Sequence, residues 1–194
     1  FNDIMLELMG YTDREITGDL LVSSPAAEDM AIVDLRDGHL LIGNDVVLGP
    51  ALGAQNRYDL IGGLHFHAAS ITIGNQLEIS QGSSLLMELM PPSSRDDGDP
   101  PTEPSPTIVA DQVVLRGTLF AEVRPEGDIF LEGDQFELIA STSNPIQGGF
   151  DAIVLPGLPN GLAFELVDVP GFRGPSGSTL TATVVSLAGL LDFG

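Results

Sequence analysis

The sequence predicts an all-β chain wound as a β-solenoid, and three observations carry that prediction. One phrase recurs: an apolar residue, a small residue, Asp or Asn, any residue, then apolar–any–apolar. It reads Ile42-Gly43-Asn44-Asp45-Val46-Val47-Leu48, then Ile73-Gly74-Asn75-Gln76-Leu77-Glu78-Ile79, then Val109-Ala110-Asp111-Gln112-Val113-Val114-Leu115. A fourth copy, Gly133-Asp134-Gln135-Phe136-Glu137-Leu138, has Glu132 in place of the leading apolar residue, and a partial fifth begins at Thr17-Gly18-Asp19. The second observation is spacing: the small residues at 18, 43, 74, 110 and 133 lie 25, 31, 36 and 23 apart, as coils with variable insertions would. The third is period: each copy joins a turn former to a period-2 strand, and no stretch shows sustained helical periodicity. A β-sandwich is the alternative packing for so many short strands.

Alternation dictates which side chains form the core. Period-2 strands bury one face, and stacked coils superimpose equivalent positions. Ile42, Val46, Leu48, Ile73, Leu77, Ile79, Val113, Leu115, Phe136 and Leu138 are therefore expected to point inward in rows.

Taken in order, Ile4-Met5-Leu6-Glu7-Leu8-Met9 opens the chain and is echoed 81 residues later by Leu85-Leu86-Met87-Glu88-Leu89-Met90. Strands are predicted over 16–24 and 30–35, the second closed by the Arg36-Asp37-Gly38 turn signal. A strand over 39–48 bends at Gly43, a loop covers 49–56 with room for a short helix at 51–54, and 58–67 runs on into 69–79. Gln81-Gly82-Ser83-Ser84 is a turn. Residues 91–106 hold six prolines around Asp96-Asp97-Gly98-Asp99, a solvated excursion that stiffness and like charge keep from packing. Strands resume over 107–123 and 128–140, then over 148–156, 163–169 and 178–187. The whole reads as one domain, 1–194, with coils over 1–147 and capping strands over 148–194.

Charge narrows the partners. With 28 acidic residues, 7 basic ones (all Arg) and a net charge of −21, the chain lacks the basic footprint that nucleic acid demands. The same balance disfavours an anionic membrane surface, and no run reaches the roughly 18 apolar residues of a membrane span. Zero Cys removes disulfides and thiolate metal sites. The start at Phe1 reads as a processed product or a fragment.

Chemistry-bearing patterns are few. His65-Phe66-His67 puts two imidazoles on one strand face, a spacing used at metal sites, with His39 as a possible third ligand; the carboxylate such a site wants is replaced by Ala-Ala-Ser-Ile. Asp96, Asp97 and Asp99 offer hard oxygens to Ca²⁺ but without the spacing of a known Ca²⁺ loop. Ordinary strand positions and a solvated loop explain both patterns. No nucleophile elbow, phosphate loop or zinc motif occurs, so no enzyme activity or cofactor is expected. Sugar platforms rely on exposed Trp and Tyr, and this chain has no Trp and two Tyr.

Gly82-Ser83-Ser84-Leu85-Leu86-Met87-Glu88-Leu89, Ala110 to Leu119, Glu132 to Ile139, Phe150 to Pro156 and Gly161-Leu162-Ala163-Phe164 together resemble a module of bacterial surface solenoids. The module is similar to the C-terminal part of autotransporter passenger domains and to secreted proteins with Pro-Glu-Pro-type sorting signals. The resemblance covers roughly residues 69–187, with a partial copy at 1–60. It implies a right-handed parallel β-helix with an antiparallel C-terminal cap, an extracellular or cell-surface location, and no catalytic residues. The sorting signal and membrane helix of those proteins are not seen after Leu191-Asp192-Phe193-Gly194, a departure that leaves anchoring outside what the resemblance implies.

The expected function is a structural or assembly module of the bacterial cell exterior, polymerising head-to-tail into a filament through its N-terminal strand. Phe1, Ile4, Leu6 and Leu8 at one end and Leu190, Leu191 and Phe193 at the other are the expected self-association residues. The alternatives are a carbohydrate-binding or carbohydrate-degrading β-helix and a Ca²⁺-dependent adhesin segment.

Overall fold

The computed structural model describes residues 4–8, 14–22, 31–35, 39–49, 56–60, 70–89, 107–123, 130–171 and 176–190. Side chains are described for all of these except 4–8, 31, 32, 34, 35, 56–60, 189 and 190. The elements are β1 (Ile4–Leu8), β2 (Arg14–Ile16), β3 (Leu20–Val22), β4 (Ala31–Leu35), β5 (His39–Ile42), β6 (Val46–Leu48), β7 (Asn56–Leu60) and β8 (Ser70–Ile79). There follow β9 (Ser83–Leu89), β10 (Thr107–Leu115), β11 (Thr118–Val123), β12 (Gln135–Ser141), β13 (Gln147–Gly148), β14 (Ala152–Val154), β15 (Leu162–Pro170), β16 (Ser178–Ser186) and one turn of helix, α1 (Leu187–Leu190). The protein is all-β and its pairing is mostly parallel.

Successive strands alternate between two sheets. The six-stranded sheet runs β1-β4-β7-β9-β11-β14, every neighbour parallel. The ten-stranded sheet runs β15-β16-β12-β10-β8-β5-β2, with β3, β6 and β13 in line with the second halves of β8 and β10. Along this second sheet β2 through β12 pair in parallel. Residues 147–154 still pair in parallel; the antiparallel strands begin at Leu162, where β15 and β16 close the sheet beyond β12.

The rows expected from alternation are present. Val46 pairs with Leu77 and Leu77 with Val113; Leu48 pairs with Ile79 and Ile79 with Leu115; Ile42 pairs with Ile73. All ten residues expected inside are buried, none more than 3% exposed. Leu85, Met87, Leu89, Leu119 and Ala121 of the six-stranded sheet complete the same core from the opposite side. Each such side chain contributes roughly 1.5–3 kcal/mol by leaving water.

Register corrects two of the sequence alignments. Ala110 pairs with Ile73, not Gly74, because one residue fewer separates Ala110 from Gln112 than separates Ile73 from Gln76. Asp111 alone spans the bend, and Ala110 takes a core position at 1% exposure. In the fourth copy it is Ile139 that continues the row of Ile108, while Phe136 pairs with Ala182 of β16. The opening echo is also offset. Leu6 leads through Val33 and Tyr58 to Leu85, two residues from the echo's own alignment, and a two-residue slip keeps the same residues on the same face.

The acids of the phrase work between neighbouring strands of the sheet. Asp45 Oδ1 accepts from Asn75 Nδ2 at 2.7 Å and from the Gln76 amide at 3.1 Å. Asp111 Oδ1 likewise accepts from the Thr142 hydroxyl at 3.0 Å and from the Ser143 hydroxyl. One carboxylate thus satisfies donors of the next bend in the stack. We expect Asp45→Ala to lower stability by about 1.5–3 kcal/mol, the range for hydrogen bonds to a charged group, measured by urea unfolding. Asp45→Asn, which keeps an acceptor oxygen, loses less.

Candidate self-association edges

Of the residues weighed as metal ligands, His39 is the one that lies among the described residues. His39 lies outward on β5 with its ring Nε2 2.8 Å from Thr72 Oγ1, a contact that occupies it within the sheet. His65, His67, Asp96, Asp97 and Asp99 lie outside the described residues. Among the described residues no group of three or more His, Asp or Glu could hold a metal ion. A void inside the core is lined by aliphatic side chains alone, including Ile71, Ile73, Leu77, Leu85 and Ile108, and so has no polar group to orient a substrate. No helix among the described residues is long and apolar enough to cross a membrane.

What the fold does offer is strand edges. A strand that ends a sheet turns backbone donors and acceptors outward, and these can template pairing with another chain. At the N-terminal end β1 pairs with β4, β2 with β5 and β3 with β6, each the last strand of its row among the described residues. Ile16 and Leu20 are half-buried against the core, while Leu21 faces outward at 65% exposure. Ile4, Leu6 and Leu8 are placed on β1 at the edge of the six-stranded sheet. Phe1 lies outside the described residues.

The C-terminal end is built differently. Phe130, Phe136 and Phe164 gather there with ring centroids 5.6–5.9 Å apart, two of the three pairs edge-to-face. Phe150, Leu155, Leu158, Leu162 and Leu166 pack half-buried against the same core. The chain thereby covers its own apolar cross-section, largely with residues between 130 and 166. Sequence reasoning had given the capping role to strands over 148–194 and had named Leu190, Leu191 and Phe193 as self-association residues of this end. Leu187 on α1 is 44% exposed, Leu190 is placed only by its backbone, and Leu191 and Phe193 lie outside the described residues. Aromatic residues spaced 6 and 28 apart carry no periodic signal, so this cluster was not legible in the sequence. Two edges nevertheless remain at this end: β14, with Ile153 47% and Val154 49% exposed, and β15, the outermost strand of the ten-stranded sheet.

Compared with models of known families, with curated proteins and with solved structures, the chain has no significant match to any of them.

Proposed function

We propose that this chain is a right-handed β-solenoid that serves as a structural assembly module of the bacterial cell exterior and joins its neighbours head-to-tail. The observation that carries this reading is the long series of parallel pairings, strand over strand in both sheets, which ends in edges rather than in a closed barrel. Stacked coils keep one axis and one strand direction, so a second copy placed on that axis meets a compatible edge. The resemblance to autotransporter passengers and to Pro-Glu-Pro-sorted proteins supports the exterior location. The acidic surface supports assembly along the axis alone, because a net charge of −21 keeps the sides of neighbouring molecules apart. No nucleic acid, inserted membrane segment, cofactor or metal enters the proposal.

Removing residues 1–10 deletes β1 and tests it. The full chain is expected to show concentration-dependent growth in mass by sedimentation velocity, and the truncated chain to grow less at the same concentration. Equal monomeric mass for both chains overturns the reading.

A further inference from the structure

The rows of paired residues can be followed from one end of the ten-stranded sheet to the other. One row reads Arg14, Leu40, Ile71, Ile108, Ile139, Leu180, Asp168. Its interior is apolar: Leu40, Ile71, Ile108 and Ile139 are at most 2% exposed, and Leu180 is half-buried. Charge occurs only at its two termini, and the two charges are opposite. Arg14 is one of only 7 basic residues against 28 acidic ones, so a cation at this position is not what composition alone would place there.

Strand direction agrees. β12 is antiparallel to β16, and β16 is antiparallel to β15, so two reversals leave β15 running the same way as β12 and therefore as β2. A copy of β2 laid on β15 in line with the sheet would pair in parallel, as every β2-to-β12 neighbour does.

Backbone parity agrees as well. Leu187 N–H donates to the Gly161 carbonyl and Gly171 N–H to the Gly177 carbonyl, which assigns the odd-numbered residues of the β15–β16 ladder to β16. The amide and carbonyl of Asp168 are thereby turned to the open edge. On β2, Gly43 N–H donates to the Ile16 carbonyl at 2.8 Å, so the even-numbered residues bond to β5 and Glu15 turns outward. In a parallel pair with Asp168 opposite Arg14, Glu15 N–H reaches the Asp168 carbonyl. A slip of one residue would set Asp168 opposite Glu15 and aim its amide and carbonyl at Arg14 and Ile16, whose backbone groups already belong to β5. Pro170 has no N–H to give the Glu15 carbonyl, so in this register the bond from Glu15 N–H to the Asp168 carbonyl carries the contact and the ladder stops at Pro170. Thr17 would fall just past Pro170, where the chain turns off at Gly171 (φ 76°), so its side chain meets no strand continuing beneath it.

From these agreements we infer that β2 of one copy adds in parallel to β15 of a second copy, with Arg14 of the first opposite Asp168 of the second. The inference rests on the head-to-tail reading above and specifies its partner, surface and register. It also shifts weight within that reading: the ten-stranded sheet makes the backbone contact.

The absence of cysteine makes the register testable by cross-linking in the full-length chain. Neighbours on adjacent strands have Cα atoms about 4.8 Å apart, within the roughly 4.4–6.8 Å that a disulfide spans. Arg14→Cys and Asp168→Cys, made separately and mixed under mild oxidation, are expected to give a covalent dimer linking 14 to 168. The chain carrying both changes should give a ladder of multimers. Circular dichroism verifies folding of each variant, and Arg14→Glu should weaken association about tenfold, with Arg14→Glu plus Asp168→Arg recovering it. If Arg14→Cys alone forms the dimer, the contact is head-to-head and the inference is wrong. If the wild-type chain grows in mass but no 14–168 link forms and Arg14→Glu is neutral, the register fails while head-to-tail assembly by another surface survives. A wild-type chain that stays monomeric at every concentration overturns both.

Discussion

Leu77→Asp is expected to destroy the fold. Leu77 is 2% exposed and sits mid-row between Val46 and Val113, with Ile73 and Ile79 beside it on the same strand. A carboxylate placed there meets only aliphatic surface and has no cation or donor in reach along its row. Removing the leucine alone costs about 2–5 kcal/mol, and leaving a buried charge uncompensated costs about 3–5 kcal/mol. The sum reaches the whole stability of an ordinary domain, about 5–15 kcal/mol. The measurement is urea unfolding followed by circular dichroism. Glu78→Gln, one residue on and facing outward between Val47 and Val114, keeps an acceptor for the Ser80 hydroxyl and should change stability by less than about 0.5 kcal/mol. A folded Leu77→Asp protein of near-normal stability would show that the row is not core.

Gly74→Ala is the second large effect, and it separates register from sequence alignment. Ile16, Ile42 and Ile73 pair in one row, and Leu20, Val46 and Leu77 in another four residues on. Thr17, Gly43 and Gly74 consequently share a column at the bend. A Cβ on Gly74 would overlap the carbonyl oxygen of Gly43, and one on Gly43 would come within 2.7 Å of the Thr17 carbonyl oxygen. Backbone cannot yield as a side-chain tip can, so we expect Gly74→Ala to cost about 3 kcal/mol, the upper end for overpacking. Thr17 carries a side chain in the same column because no described strand lies beneath it. Gly18, which matches Gly43 and Gly74 by phrase alone, has open space at its Cβ. Gly18→Ala should therefore be neutral or raise stability by up to about 1 kcal/mol through the unfolded chain. Equal losses at 18 and 74 would refute the stacking.

Much of the architecture was legible because it is encoded locally. A small residue followed by an acid and a period-2 run is at once a bend, a strand and a choice of buried face, and it can be read from seven consecutive residues. The three clear copies were placed within one residue of their observed register. The breaks were harder to see. Residues 107–123 read as one strand, but the chain turns at Arg116-Gly117 between β10 and β11, and Gly117 has φ 68°. An apolar run interrupted by one glycine looks the same whether it bends in place, as at Gly74 inside β8, or crosses to the other sheet.

By itself the sequence determined the strand content, the alternation of faces, the inward rows and the net negative charge. Each depends on residues adjacent in the chain or on a sum over all of it. Tertiary structure alone decided which copy stacks on which, and with what offset. Parallel neighbours are joined by segments of unequal length, and one deleted residue at Asp111 shifts a whole alignment without disturbing its period. It also decided how the ends are finished. The three phenylalanines that close one end meet through folding, not through spacing. Arg14 and Asp168, the two ends of a single apolar row, are separated by nearly the whole chain, and only the register of the strands between them shows that they belong to one line.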